Sequence, residues 1–539
     1  MTVLVVGLLV ALTGCVALFP TASTSPRTTT DSDSDGGILI GSLRPVPSAA
    51  LNTYYAQKVD WKSCDHGLFC ASVTAPVDWQ HITSQSIKVA MVEHRAEGKS
   101  KGTIVVNPGG PGASGVDFVA EGVDGVVDDP IAAQYDIVGF DPRGVGKSSA
   151  VHCFDASGTD TYLYGIDPGA IGSAQWIAAE KAKSSSLEKA CAKGTGPVLA
   201  HIDSVSAAED MEVIRRALGQ SKLNYLGYSY GTYLGTVYAG LFPRSVGRMV
   251  LDGADDPWGD NYVPTGPDDP SDSFGVSPSI DGTVAQAQSF EHDLTDFLKS
   301  CLTNAYTTVG TLHCPFTSSV TSAKRRVTEL LSNATKHPLV AKDHRKLGAF
   351  TLAAAIEEPL YDRTEWPKLT KLFVDLQHGN PAEAFAMADE YNDRETNGTY
   401  DDNEDVANLA IGCVEAGPRV DLAYDRREAK ELRKVAPILG IYAAYGDLIC
   451  SGWPFAASPF PNPIHAAGTG PILVIGTTGD PATPYSDAVS LARQLDGGHL
   501  VTMHADEHTA YDLGDTCIDE SVDRYFISGV VPPKDPDCR

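Results

Sequence analysis

The stretch "LNYLGYSYGTYLGTVYAGLF" (223–242) passes from an apolar run into a helix-like run through the pentapeptide Gly-Tyr-Ser-Tyr-Gly at 227–231. A serine between two glycines at a strand-to-helix turn is typical of a nucleophile elbow, where the turn is strained and backbones approach closely. Ser229 would then stand above a sheet, with the N-terminus of the next helix favouring developing negative charge. The alternative is a tight turn with an ordinary serine, and motif plus context favours the nucleophile.

Further apolar, β-branched runs predict strands on both sides of this turn. They lie at 86–92, 102–107, 135–140, 247–253, 471–476 and 499–503. Continuous runs of this kind are typical of strands buried on both faces, as in a parallel sheet. A helical pattern at 204–219 lies between two of them, and alternation of strand and helix predicts an α/β fold with right-handed crossovers.

The spacing of the strands has one large irregularity, because residues 254–470 separate two of the late runs. A crossover needs about a dozen residues, and a structureless loop of this length is implausible in a compact domain. The segment contains helix-like stretches such as 289–302 and 365–379. We therefore predict a helical lid at 255–460, inserted between core segments 51–254 and 461–539.

The first residues form an apolar run that ends in Leu-Thr-Gly-Cys at 12–15. The run is too short to span a bilayer and predicts an export signal, 1–15, whose ending resembles a lipobox with Cys15 as the lipidated residue. The alternative is an ordinary cleaved signal with an incidental cysteine. Residues 16–50 are predicted to be a disordered tether, since their Ser/Thr/Asp/Gly/Pro-rich part has nothing to bury.

Cysteine usage supports export. Without Cys15 the chain keeps ten cysteines, an even number, as expected where disulfides form. Sequence alone leaves their connectivity open, and pairing of neighbours along the chain is the simplest prediction: Cys64–Cys70, Cys153–Cys191, Cys301–Cys314, Cys413–Cys450 and Cys517–Cys538. None of them has the CxxC spacing of a zinc site, so no metal is expected.

The net charge of −28, with a pI near 4.8, argues against nucleic-acid binding, which requires a basic face. The same acidity disfavours contact with anionic lipid headgroups and helps solubility. The charge therefore disfavours nucleic acid as a partner and says nothing about the fold.

A nucleophilic serine needs a base and a group that orients the base. Asp480 follows the strand at 471–476, in a loop at a strand's carboxyl end, although an Asp before proline can also merely cap a turn. His504 and His508 both follow the last strand. His504 abuts the strand end, whereas His508 lies in the loop proper, from which its side chain can reach across to the serine. We therefore choose His508, which also follows the chain order serine, acid, histidine. Asp252, at the end of another strand, is the rival acid.

A tetrahedral intermediate also needs backbone N–H groups aimed at its oxygen. "VVNPGGPGASG" (105–115) directly follows a strand, and its prolines have no N–H, so Gly109, Gly110 or Gly112 must donate. The second donor is predicted to be the amide of Tyr230, the residue after the nucleophile.

Two glycine motifs suggest nucleotide binding and are rejected. "GPGASG" (110–115) has the form G-x-G-x-x-G, but prolines crowd the turn and an exported protein meets little NAD. "GFDPRGVGKS" (139–148) resembles a phosphate loop, but Asp141 stands where the first glycine is required. No cofactor is expected.

The motifs "NPGGPG", "DPRGVGKS", "GYSYGT", "GTTGDPATP" and "HTAYDLGDTC" occur in the order found in secreted tripeptidyl/prolyl aminopeptidase-like α/β-hydrolases of actinobacteria, which residues 60–539 resemble. The resemblance implies Ser229 as nucleophile, Asp480 as acid, His508 as base, and the glycine loop with Tyr230 as oxyanion hole. It implies cleavage of short peptides from a free N-terminus. "EHT" stands where related chains commonly have a glycine before the histidine.

An aminopeptidase must bind a cationic α-amine, so the lid should supply carboxylates. Glu357, Glu358 and Glu415 are candidates, although most of 69 acidic residues are expected to be solvated surface. Thr483, just after Asp480, lines the pocket or, more simply, shapes the loop.

The sequence thus predicts a membrane-tethered exported serine exopeptidase that acts on peptides. The alternatives are an esterase or lipase for cell-envelope esters, since the same triad serves both leaving groups, and a non-catalytic envelope-binding lipoprotein.

Overall fold

The computed structural model describes residues 48–82, 85–257, 282–303, 312–458, 464–532 and 535–539. The predicted signal peptide with Cys15, and nearly all of the predicted tether, lie outside these ranges. The predicted lid boundary at 460 also lies outside these ranges, whereas the one at 255 lies within 85–257.

One sheet forms the centre of the described chain. Its strands are β1 (Lys62–Ser63), β2 (Phe69–Pro76), β3 (Ser86–His94), β4 (Thr103–Asn107), β5 (Asp136–Phe140), β6 (Leu223–Tyr228), β7 (Val246–Asp252), β8 (Ile472–Thr477), β9 (Gly498–Met503) and β10 (Asp537–Cys538). Their order is β1-β2-β3-β5-β4-β6-β7-β8-β9-β10. The pairs from β5 to β10 are parallel, whereas β1, β2 and β3 pair antiparallel, as does β3 with β5.

The mostly parallel sheet is confirmed. All the apolar runs identified in the sequence form strands, β3 to β9; β3 to β8 are buried along most of their length, and β9 along its second half. The sequence analysis did not predict the antiparallel edge strands β1 and β2 or the two-residue β10. These strands are short or partly exposed, so they lack a continuous apolar run.

Helices cover both faces of the sheet. They are α1 (Ser48–Tyr55), α2 (Gly115–Ala120), α3 (Asp129–Ala132), α6 (Ser204–Ala217), α7 (Tyr230–Leu241), α15 (Tyr485–Gln494) and α16 (Thr516–Ser528). Apolar residues of α6, α7 and α15 pack on one face, and those of α2, α3 and α16 on the other. This is the layered arrangement that βαβ crossovers produce.

A second group of helices lies between β7 and β8. They are α8 (Gly282–Thr303), α9 (Val320–Lys336), α10 (Ala349–Glu357), α11 (Trp366–Gln377), α12 (Ala382–Tyr391), α13 (Glu404–Ala416) and α14 (Leu422–Val435). Most of them share an apolar cluster of their own around Phe297, Trp366 and Phe373. A helical layer with its own core is what the long insertion predicted.

The helical layer also takes in part of the first core segment. Two helices there, α4 (Ala156–Tyr164) and α5 (Ala174–Thr195), precede α6. Tyr164 joins the cluster of the inserted helices, and Trp176 packs with Leu432 of α14. The lid layer therefore draws on residues that the sequence analysis had assigned wholly to the core.

The stretch that resembles a phosphate loop is part of the scaffold. Arg143 is fully buried and donates from Nε and Nη2 to the two oxygens of Asp210, at 2.8 and 2.7 Å. Its remaining donors reach the carbonyl oxygens of Val77, His201 and Pro76 at 2.8–3.1 Å. These bonds fasten the loop after β5 to α6 and to the end of β2, a structural role that explains the motif without a nucleotide.

Five disulfides join the cysteines in neighbouring pairs along the chain. They are Cys64–Cys70, Cys153–Cys191, Cys301–Cys314, Cys413–Cys450 and Cys517–Cys538. The pairing agrees with the simplest reading of the sequence. Across the described ranges, no helix is both long enough and apolar enough to cross a bilayer.

Candidate active site

Ser229 occupies the sharp turn between β6 and α7. Its backbone lies at φ 53° and ψ −129°, a left-handed conformation that is strained for a residue with a side chain. The glycines permit the turn, because a Cβ on Gly231 would lie only 2.5 Å from the carbonyl oxygen of Asn107. Ser229 is 4% exposed, and its amide donates to the carbonyl oxygen of Asp252 at 2.9 Å.

His508 and Asp480 form a buried pair beyond the ends of β9 and β8. The Nδ1 atom of His508 lies 2.9 Å from both carboxylate oxygens of Asp480. The two side chains are 2% and 0% exposed. A carboxylate in this position fixes the ring orientation and leaves Nε2 available as the basic nitrogen.

Asp480 is itself held from several directions. The amides of Ala482 and Thr483 donate to its Oδ1 at 2.9 and 2.8 Å. The Thr483 hydroxyl donates to Oδ2 at 3.0 Å and lies 3.4 Å from Nδ1 of His508. Thr483 thus contacts both members of the His508–Asp480 pair.

The turn after β7 brings the serine and the histidine to the same place. Asp252 accepts the amide of Ser229 through its carbonyl oxygen, as described above, and Gly253 comes next. A Cβ on Gly253 would lie 3.1 Å from Cε1 of His508, so the ring packs directly on this turn. Ser229, Asp480 and His508 therefore gather at the carboxyl end of neighbouring strands.

The two rival residues have other partners. His504 pairs through Nε2 with Asp537, and its amide donates to the carbonyl oxygen of Cys538 at 3.0 Å, at the edge formed by β10. Asp252 accepts the amides of Ala510 and Tyr511 on Oδ2, at 3.1 and 2.8 Å. Burial raises the pKa of Asp252 to about 6, and the hydrogen bonds from these two amides oppose part of the rise. Asp252 thus supports the turn that follows His508.

The glycine loop after β4 packs against the serine turn. A Cβ on Gly109 would lie 2.9 Å from the Cβ of Ser229 and 3.0 Å from the backbone nitrogen of Tyr230. Because Gly109 has no side chain, the loop can approach the serine turn closely. The two predicted oxyanion donors, the amides of Gly109 and Tyr230, therefore lie close together. Gly110 is next in the loop, and its backbone also has positive φ.

Helix α13 of the lid begins on this loop. A Cβ on Gly110 would lie 3.3 Å from Oε1 of Glu404, and one on Gly112 only 2.6 Å from the Glu404 carbonyl oxygen. Glu404 is 7% exposed. The sequence analysis did not single out Glu404, since an acid in the first turn of a helix is an ordinary capping feature.

Glu357 and Glu358 lie at the end of α10, within the helical layer. Burial raises the pKa of Glu357 to about 8. Burial likewise raises the pKa of Glu358 to about 8, with a further contribution from the negative charge of Glu390, while Lys368 opposes it. Burial thus favours the protonated form of both carboxyls, relative to an exposed glutamate.

Glu415, on α13, contacts the core beside the serine turn. Its Oε1 accepts the amide of Ser204 at 2.8 Å and also the Ser204 hydroxyl. That hydroxyl lies 2.5 Å from the phenol oxygen of Tyr230. The second oxygen, Oε2, is buried without a hydrogen-bond partner in the described structure, and burial raises the pKa of Glu415 to about 7.

Comparison with known proteins gives matches over most of the chain. One family model, described as alpha/beta hydrolase fold, matches residues 102–274, and another, TAP-like protein, matches 436–538. Serine protease Hip1 of Mycobacterium tuberculosis is 32% identical over 517 residues, covering 93% of this chain and 95% of that protein. The chain belongs to the α/β-hydrolase serine peptidase family. Membership makes it an enzyme, a serine hydrolase, and removes the reading as a non-catalytic lipoprotein.

Other relatives match at similar levels under different names. Carboxylesterase B of Mycobacterium tuberculosis is 34% identical, covering 90% of each chain. Tripeptidyl aminopeptidase of Streptomyces lividans is 29% identical, covering 89% of this chain and 86% of that protein. The resemblance stated from the motifs is confirmed at the level of the family.

Proposed function

We propose that the protein is an exported serine exopeptidase that cleaves short peptides from a free N-terminus. The observation that carries this proposal is the buried His508–Asp480 pair packed on the turn that also holds Ser229. Nucleophile, base and orienting acid follow in the chain order of α/β-hydrolases.

In the proposed reaction, Ser229 Oγ attacks the scissile carbonyl while Nε2 of His508 takes its proton. Asp480 holds Nδ1–H and stabilises the imidazolium. The amide of Tyr230 and an amide of the glycine loop, Gly109 or Gly110, hold the developing oxyanion. His508 then gives its proton to the leaving amine, and water hydrolyses the acyl-enzyme by the same steps in reverse.

Exopeptidase action needs a group that recognises the substrate's α-ammonium, and Glu415 is our candidate. One of its oxygens is engaged by Ser204, whose hydroxyl also lies 2.5 Å from the phenol oxygen of Tyr230, and the other oxygen is buried and unpartnered in the described structure. An ammonium group bound to Oε2 would supply the missing partner and favour the charged carboxylate. Glu357 and Glu358 stay weaker candidates, because no described contact links them to the serine turn.

The direct test compares peptides that differ only at the N-terminus. Purified protein is incubated with short peptide amides carrying a free or an acetylated α-amine, and the products are identified by mass spectrometry. We expect release of N-terminal fragments from the free peptides only. Equal cleavage of acetylated peptides, or cleavage at internal bonds without regard to the terminus, would contradict exopeptidase action.

The role of Glu415 has its own test. Glu415→Gln keeps an acceptor for Ser204 but removes the charge, so KM for free-amine peptides should rise about tenfold, which corresponds to the loss of one charged contact. Glu431→Gln, an exposed glutamate on α14, serves as the matched control and should leave KM unchanged. An unchanged KM in Glu415→Gln would assign ammonium binding elsewhere.

An esterase is the second candidate, and the relative named Carboxylesterase B favours it. The same triad can hydrolyse an acyl ester, so the distinction lies in the leaving group and the pocket. Hydrolysis of short acyl esters without detectable cleavage of any free-amine peptide would favour the esterase, because a peptidase hydrolyses both.

We also propose export with a lipid anchor at Cys15. Five disulfides support an oxidising compartment. Expression of the full chain in a bacterial host with an alkyne-labelled fatty acid should label the membrane fraction. Cys15→Ala should abolish the label, and persistence of the label would exclude this attachment site.

A further inference from the structure

A short lid segment pairs with the loop that carries His508. We name Tyr361–Arg363 the histidine clamp. The amide of His508 donates to the carbonyl oxygen of Tyr361 at 2.8 Å. The rings of the same two residues meet edge to face, with centroids 5.6 Å apart and planes at 79°. The lid therefore contacts both the backbone and the ring of the histidine.

The contact continues over the two preceding residues of the loop. Asp362 forms an antiparallel bridge with Glu507, and Arg363 forms an ion pair with Asp506. The clamp and the loop thus make a three-residue antiparallel pairing. Its members are separated by more than 140 positions in the chain, so the pairing depends on how the lid docks on the core.

The lid's apolar core anchors the clamp. Tyr361 is 8% exposed and packs in the cluster of the inserted helices. Its ring lies edge to face with that of Phe290 on α8, at 5.4 Å between centroids. A movement of the lid relative to the sheet would consequently move Tyr361, and with it the residue that it holds.

The two sides of His508 are held by different parts of the molecule. The core holds the residues after it, because Thr477 donates to the carbonyl oxygen of Thr509 at 2.8 Å and Asp252 accepts the next two amides. The clamp holds the residues from 506 to 508. Asp480 fixes the ring's tilt at Nδ1 and also accepts the amide of Thr509 at 3.3 Å, whereas the amide of His508 itself donates to the clamp.

We propose that the histidine clamp positions the catalytic base. His508 is then aligned for catalysis only when the lid is docked on the core. This inference rests on the proposed role of His508 in the reaction. A base displaced by about 1 Å from its productive geometry can cost about a hundredfold in rate. The lid would then gate the chemistry as well as substrate access, and Tyr361 and Arg363 would be positioning residues.

The test uses the full chain with kcat and KM measured separately on the peptide identified as a substrate. Tyr361→Ala removes the ring contact, and we expect kcat to fall about 10- to 100-fold while KM changes less than about threefold. Tyr361→Phe keeps the ring and the carbonyl and should retain kcat within about threefold. Lys371→Ala breaks an ion pair between α11 and α12 within the lid and is the matched control.

Arg363 provides a second variant at a more exposed position, and its guanidinium also lies over the ring of Trp366, 5.0 Å from the centroid. Its side chain is 40% exposed, so Arg363→Ala should fold, and we expect kcat to fall about tenfold with partial recovery in Arg363→Lys. If Tyr361→Ala fails to fold, the two Arg363 variants alone test the proposal. The proposal is overturned if both Arg363 variants match Lys371→Ala in kcat, or if the loss appears in KM alone.

Failure of the clamp is distinguishable from failure of the proposed function. His508→Ala should abolish turnover whatever the clamp does. Turnover that survives His508→Ala removes the proposed function, whereas loss of turnover in His508→Ala together with unaffected clamp variants removes the clamp alone.

Discussion

Arg143 and Asp293 are both buried and ionisable, yet the molecule treats them in opposite ways. All three nitrogens of Arg143 donate hydrogen bonds, to Asp210 and to three backbone carbonyls. Asp293, on α8 of the lid, is 1% exposed, and neither of its carboxylate oxygens has a hydrogen-bond partner in the described structure. Burial raises the pKa of Asp293 well above its usual range, and the nearby charge of Asp480 adds to the effect.

The difference is between the fixed scaffold of the core, which contains Arg143, and the junction of the lid with the active-site region, which contains Asp293. A buried ion pair with every donor satisfied keeps its charges without leaving orphaned polar groups, which suits a fixed part of the fold. Asp293 and Glu415, by contrast, lie on lid helices with unsatisfied carboxyl oxygens, and each interacts electrostatically with a residue of the active-site region, Asp480 and Tyr230 respectively. We infer that polar groups at this junction are arranged for binding and lid docking more than for stability.

The largest expected effect comes from the junction. Asp480→Asn keeps the shape of the side chain but cannot hold Nδ1–H of His508 in the same way, so the wrong tautomer is favoured. We expect kcat to fall about 10⁴-fold, measured per folded molecule by steady-state kinetics. A fall below about tenfold would mean that the acid lies elsewhere, with Asp252 as the first alternative.

Substitutions in the scaffold should lower the stability of the protein, whereas substitutions at the junction should lower its catalytic rate. Asp210→Ala leaves the Arg143 charge buried without its partner, and we expect the free energy of unfolding to fall by about 3–5 kcal/mol. Chemical denaturation of each purified variant measures it. Arg325→Ala, an exposed lid position that is 72% accessible, is the control and should change stability by less than about 0.5 kcal/mol.

Asp293 should respond in the opposite direction. Asp293→Leu replaces an unsatisfied carboxyl with an apolar side chain of the same branched shape, so we expect the free energy of unfolding to stay the same or to rise by about 1–3 kcal/mol. The same denaturation measurement applies. A loss as large as that of Asp210→Ala would remove the contrast between the two regions.

The smallest expected effect is on how the stability of the protein changes with pH. Burial raises the pKa of Glu357 to about 8 from 4.5, so the folded protein keeps a proton that the unfolded chain releases. Its contribution to stability is complete below about pH 4.5 and is lost as the pH rises through about 8. Glu357→Gln should therefore show a shallower fall in Tm over this window than wild type. Glu329→Gln, on an exposed part of α9, should keep the wild-type slope.

Much of the site could be predicted because local sequence specifies it. The serine turn needs glycines around Ser229, and Asp480 and His508 directly follow strands whose apolar runs are long and continuous. Parallel strands end at a common edge, so residues just after them come together without any knowledge of the distant contacts.

The lid could be predicted only in outline. A long helical insertion is visible in the chain, but the docking of Tyr361 on His508 and of Glu404 on the glycine loop joins segments far apart. Such contacts leave no periodic pattern in either segment. For the same reason the packing of α5 on α14 was not predicted, since the apolar face of α5 fits a core helix equally well.

The most direct test of the account is covalent labelling of the folded protein with a fluorophosphonate, located by peptide mass spectrometry. The account predicts one adduct per chain, on Ser229, and a labelling rate at least about a thousandfold lower in His508→Ala. Labelling of another residue, or a rate on Ser229 that does not change when the imidazole is removed, would contradict it.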